Sequence, residues 1–115
     1  MKDFRDRIKR MEEHCHFFTP IETKSFIISI QASGKTHMCF PKETHESPWA
    51  YSAFEVALSY NNERRLFMFR KSAKFRNFKY YEYLSGSCPS TDAVFGYLDT
   101  DIVNELVKFL EEEYE

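Results

Sequence analysis

Glycine is scarce in this chain, with 3 in 115 residues, at Gly34, Gly86 and Gly96, and that scarcity excludes a glycine-rich loop that cradles phosphate. Ala32-Ser33-Gly34-Lys35-Thr36 ends in the Gly-Lys-Thr of such loops, but it lacks their first glycine and falls where a hairpin is expected. Long hydrophobic runs are missing as well. No stretch approaches the roughly 18 apolar residues of a membrane span, and Met1-Lys2-Asp3-Phe4-Arg5-Asp6 is too charged for a signal peptide. A soluble, cytoplasmic protein without a membrane partner is the expectation. Cysteine is sparse and odd in number, with 3 in the chain and no Cys-x-x-Cys pair. A disulfide framework is therefore a poorer reading than free thiols or metal ligands.

What remains is enough for one core. With 43% apolar and 17% aromatic residues, residues 1–115 suit a single domain. Asp3 reads as an N-cap, and Phe4, Ile8, Met11 and Cys15 then recur at helical spacing, predicting a helix that ends at Phe17–Pro20 with Cys15 inward. Residues 25–31 and 36–40 read as a first hairpin turned at Ser33-Gly34. The stretch 49–60 with 65–71 reads as a central hairpin, and 75–84 as a further strand. Val94–Leu98 adds one short strand, and Ile102, Val103, Leu106, Val107 and Leu110 form the apolar stripe of a last helix capped by Asp99 or Thr100. The expected fold is α+β: an antiparallel sheet of about five strands with an N-terminal and a C-terminal helix packed on it.

Three constellations carry chemistry. The first holds the cysteines and most of the histidines: His14-Cys15-His16, His37-Met38-Cys39 and Cys88. Zinc in a structural site takes four Cys or His ligands, and His37 and Cys39 leave the same side of an expected strand. Cys15, His37, Cys39 and Cys88 are the preferred ligand set for zinc, with His14, His16 or His45 as substitutes for His37 in the fourth position. The alternative is that Cys15 and Cys39 are small buried hydrophobes. A catalytic metal would also need a base, for which Glu13, Glu43 and Glu46 stand near the histidines in sequence, so a small metal-dependent hydrolase is one reading.

The second constellation is charge segregation. Arg64, Arg65, Arg70, Lys71, Lys74, Arg76 and Lys79 lie in a run without an acid, whereas from Tyr80 onward Lys108 is the only cation among nine acidic residues. The basic run suits an acidic partner. The third is the interleaving of that run with Phe67, Phe69, Phe75, Phe78, Tyr80 and Tyr81, which a single-strand nucleic-acid binder would use for stacking. An amphipathic sheet with rings inward and charges outward produces the same alternation.

No catalytic motif stands out, so the preferred reading is a non-enzymatic inhibitor or adaptor that engages a larger protein through its charged faces. A nucleic-acid-binding module using residues 64–81 is the alternative. In its length, aromatic content and charge segregation the chain resembles the small phage-encoded inhibitors of the anti-CRISPR type. That group shares no common motif, so the resemblance implies a target class, a nucleic-acid enzyme such as a Cas9-type CRISPR effector, and no site residues.

Overall fold

The computed structural model describes residues 2–13, 16–63, 65–88 and 92–114, with only the backbone of Ser87. Alternating buried positions organise it. Phe26, Ile28 and Ile30 of one strand face inward beside Phe54, Val56 and Leu58 of the next, and side chains of this type gain most from leaving water. Four strands result among the described residues: β1 (Ile21–Glu22), β2 (Phe26–Gln31), β3 (Ala53–Tyr60) and β4 (Val94–Asp99). They lie in the order β1-β2-β3-β4, and every neighbouring pair is antiparallel. The helix α1 (Tyr81–Ser87) is short, and α2 (Thr100–Glu113) lays Ile102, Val103, Leu106, Val107 and Leu110 on the core. This is the expected α+β class with the expected C-terminal helix. Among the described residues no helix is long and apolar enough to cross a membrane.

The N-terminal helix is not seen. Asp3 does cap, accepting from the Arg5 amide at 2.9 Å, but the helix it opens is a single 3-10 turn, Phe4–Asp6. The chain then folds back, with Arg10 bridged to Phe18. A short helix gains little without a packed face, and here a competing set of bonds wins. A helix with Phe4 and Ile8 inward would carry Arg10 on its wet side, whereas Arg10 is only 7% exposed. Its Nη2 donates to the Ala32 carbonyl at 2.6 Å and to the Tyr51 hydroxyl at 3.0 Å, and its Nε donates to the His45 carbonyl at 2.9 Å. The guanidinium carbon lies 3.9 Å from the centre of the Phe18 ring. The far end of the expected helix, with His14 and Cys15, lies outside the described residues.

The expected first hairpin is replaced by a longer-range pairing. β2 pairs with β3, placing Ile28 opposite Leu58 and Ile30 opposite Val56. Residues 33–37 curl into a turn in which Thr36 and His37 both donate to the Ser33 carbonyl, with Gly34 at φ +40°, a region glycine tolerates best. The chain returns to the sheet only at a bridge between Phe40 and Ala53.

The central hairpin is shorter than expected. Pro48–Ala50 is a 3-10 turn capped by Ser47, and the 65–71 return makes one bridge, Leu66 with Ser59, before turning into a second 3-10 segment, Phe69–Lys71. The 75–84 stretch is not a strand. Phe75, Phe78 and Leu84 are buried at multiples of three residues, the spacing of turns and helices, and the chain forms a 3-10 turn at Phe75–Asn77 followed by α1. The N-terminal segment is tied to α2 by Asn104, which accepts from the Phe4 amide at 2.9 Å, and by a two-pronged pair between Arg7 and Glu111 at 2.6 and 2.9 Å. At least one acid at the C-terminal end of α2 therefore holds the fold.

Arg10→Ala should lower the unfolding free energy by about 3 kcal/mol in urea denaturation, since it strands buried acceptors and opens a void. Arg10→Lys should recover little, because one ammonium cannot serve the same fork of acceptors and the Phe18 face together.

Candidate docking surface

The surface begins at an irregularity in the sheet. Phe54 pairs with Leu98 and Val56 with Phe95, so Gly96 and Tyr97 together face the single residue Glu55. This is a bulge, which bends the strand and re-aims its side chains. Tyr97 takes a left-handed backbone, φ 56°, a conformation that costs a side chain other than glycine roughly 1–2 kcal/mol. Loop 33–42 docks on the bulge: the Tyr97 amide donates to the Met38 carbonyl at 3.0 Å, and the Met38 amide donates to Glu55 Oε1 at 3.1 Å. Gly96 permits this approach, since a Cβ there would fall 2.5 Å from Met38 Sδ and 2.9 Å from Met38 Cβ.

Three large apolar side chains emerge together. Met38, Phe40 and Tyr97 are 38%, 50% and 39% exposed, and the Phe40 and Tyr97 rings lie 4.8 Å apart. Lys42 completes the patch, donating to the Tyr97 hydroxyl at 2.7 Å with its ammonium 4.6 Å from the ring centre. Aromatic and methionine side chains are the types enriched at protein interfaces, and here they gather on the edge strand of the sheet. Sequence reasoning passed over all of these except Met38 as a neighbour of Cys39. The signal available was the spacing of buried Phe95 and Leu98, which breaks the two-residue period of a strand.

His37 and Cys39, both expected as ligands, lie beneath this patch and are buried. His37 Nδ1 is 3.0 Å from Ser33 Oγ, and the Cys39 thiol points to the Pro41 carbonyl at 3.6 Å. Burial pushes the Cys39 thiol up, away from the thiolate that metal binding or nucleophilic attack requires. Burial also holds His37 below its ordinary value of 6.5, against the pull of Glu55. Ser33 is fully buried, and His37 is 7% exposed.

Cys88 lies elsewhere. Its sulfur faces the Asp92 and Val94 carbonyls at 3.4 and 3.3 Å, at the start of β4, while Phe40 bridges Ala53, the partner of Asp99 at the end of β4. Five residues of strand, about 16 Å, separate those ends. Cys15 and His14 fall outside the described residues. Among the described residues no three His, Cys, Asp or Glu side chains converge on a point that could hold a metal ion. His45 meets Glu43 at 3.2 Å in an exposed pair, and His16, Glu13 and Glu46 are exposed.

The basic run is partly consumed by the fold. Arg70 donates to the Ser85 and Cys88 carbonyls at 2.6 and 2.7 Å, closing the end of α1, and Arg76 donates to the Arg70 carbonyl at 2.6 Å. Lys79 pairs with Glu105 at 3.4 Å, and Arg65 is held by Glu63. Lys71 and Lys74 are exposed, and Arg64 lies outside the described residues. The interleaved rings Phe67, Phe69, Phe75 and Phe78 are all buried, so they are not available to stack on bases. Comparison with known protein families, curated proteins and solved structures finds no match for the chain.

The neutral state of His37 sets a pH dependence. The unfolded chain takes up a proton near 6.5 while the folded protein resists it, so the stability due to neutral His37 is complete above that pH and declines as the pH falls through it. Denaturation curves between about pH 7 and pH 5 should show a smaller loss of stability for His37→Gln than for the parent.

Proposed function

We propose that this protein is a non-enzymatic binding domain, an inhibitor or adaptor, that docks a larger protein through Met38, Phe40 and Tyr97 with Lys42 at the rim. The observation that carries the reading is Tyr97: a bulky residue kept in a left-handed backbone with its ring exposed. Stability alone favours glycine at such a position, so the side chain earns its place at the surface. The partner we infer offers an apolar pocket for the two rings with an acidic group at its edge for Lys42. The resemblance to phage-encoded anti-CRISPR inhibitors makes a nucleic-acid enzyme, a Cas9-type effector first, the partner class to try. The cytoplasm is the compartment that suits the free thiol of Cys39.

A structural zinc held by Cys15, His37, Cys39 and Cys88 is a separate proposal. It requires the buried Cys39 thiol to ionise and Cys88 to approach it from the other end of β4. Zinc content of protein purified without added metal, compared with Cys39→Ser, is its test.

Tyr97→Gly should leave unfolding free energy within about 1 kcal/mol of the parent, because relief of the backbone offsets the lost ring contacts. It should weaken partner capture by about 2 kcal/mol, roughly thirtyfold, as should Phe40→Ser. A partner retained equally by parent and both variants would overturn the reading. Concentration-dependent dimerisation abolished by Phe40→Ser would instead make a second copy of the chain the occupant.

A further inference from the structure

A cleft lies at the other end of β3, where the Asn61-Asn62 turn, the 65–72 segment and Tyr114 line an open volume of about 810 Å³. Its cations are Lys24, Arg65 and Lys71, and the described residues lining it include no aspartate or glutamate. Glu63 pairs with Arg65 beside the cleft, so its attraction for anions rests chiefly on the exposed Lys71. The volume falls in the range of small-molecule sites rather than of flat protein interfaces.

Two of its features point to a ring as well as a charge. The Arg65 guanidinium carbon lies 4.6 Å from the centre of the Tyr60 ring, and Glu63 pairs with the same guanidinium. Arg65 remains exposed, so the outer face of this guanidinium is open to a further plane, the arrangement by which arginine accepts a nucleobase. Ser72 and Tyr114 also line the cleft beside Lys71, and Ser72 Oγ and the Tyr114 hydroxyl share a hydrogen bond of 2.7 Å. Burial holds the Tyr114 phenol above its ordinary value, so it remains a hydrogen-bond donor at neutral pH. Hydroxyls beside ammonium groups suit phosphate oxygens.

We propose that this cleft binds a nucleoside phosphate, with the base stacked on Arg65 and the phosphate received by Lys71 beside Ser72 and Tyr114. The same chemistry is offered by a free mononucleotide and by the phosphorylated end of a single strand. Neither requires the docking surface at the opposite end of β3, so this proposal and the proposed function can fail independently.

Calorimetric titration of the full chain with AMP, adenosine and inorganic phosphate tests it. AMP should bind at least about tenfold more tightly than either fragment, and less tightly as salt rises. Lys71→Glu and Arg65→Ala, both at exposed positions, should each weaken AMP at least about fivefold without moving the thermal midpoint. AMP bound no more tightly than inorganic phosphate, or bound equally by both variants and the parent, would overturn the proposal. In the last arm, displacement of AMP by a 5′-phosphorylated trinucleotide at a lower concentration than AMP itself assigns the ligand to a strand end, and displacement only at a higher one assigns it to the free nucleotide.

Discussion

A buried, unpaired positive charge is the constraint on which the loops of this protein depend. Among the described residues Arg10 has no carboxylate as a hydrogen-bond partner, and its Nη1 is buried without a bond. The guanidinium is held by two carbonyls, a tyrosine hydroxyl and the face of Phe18. Taking a guanidinium out of water is costly, and neutral acceptors offset that cost only while they stay in place. Tyr51 extends the network: its hydroxyl donates to the Glu43 carbonyl at 2.6 Å and accepts from the His45 amide at 2.8 Å. The N-terminal segment, the end of β2 and the loop from Glu43 to Tyr51 therefore share one polar centre. That centre lies beside the turn from which residues 38–42 run back to the sheet.

The consequence is a division of labour along β3. At its Ala53 end the bulge, Gly96 and loop 33–42 present apolar side chains on a strained backbone. At its Tyr60 end, about 23 Å away along the strand, cations and hydroxyls surround a cleft. Between them runs a conventional core, in which β2, β3 and α2 bury aliphatic side chains at the periods their structures dictate. The rings of the 67–78 segment belong to that core. Phe67 packs edge-on to Phe26 at 4.8 Å and to Phe75 at 5.4 Å.

The elements legible in the sequence were those whose buried side chains follow one clean period over several residues. β2, β3 and α2 do so, and β4 does so apart from its bulge; with them came the antiparallel α+β class. The fold-back of the N-terminal segment, where a helix was expected, was not legible, because the partners that draw Arg10 inward are Ala32, His45 and Tyr51, more than twenty residues away. The 75–84 stretch was misread because alternation of charge and ring mimics a strand, while the side chains actually buried recur in threes. The pairing of 25–31 with 36–40 assumed a tight hairpin, and the turn at Ser33 closes on itself instead. Of the site, nearness in sequence identified His37 and Cys39 but not their surroundings. Their side chains meet Ser33 and Pro41, not each other. The exposed patch combines loop 38–42 with Tyr97, two segments that only the Phe40 and Ala53 bridge and the β4 bulge bring together.

Amide hydrogen exchange on Arg10→Lys tests the central claim most directly. If the Arg10 network is what holds the loops, exchange at His45 and across residues 41–51 accelerates by a larger factor than exchange in α2, whose loss of protection follows the fall in global stability alone. Equal acceleration in the loop and in α2, or no change in the loop, would contradict it: Arg10 would then contribute to global stability alone, and the presentation of Met38, Phe40 and Tyr97 would rest on other contacts.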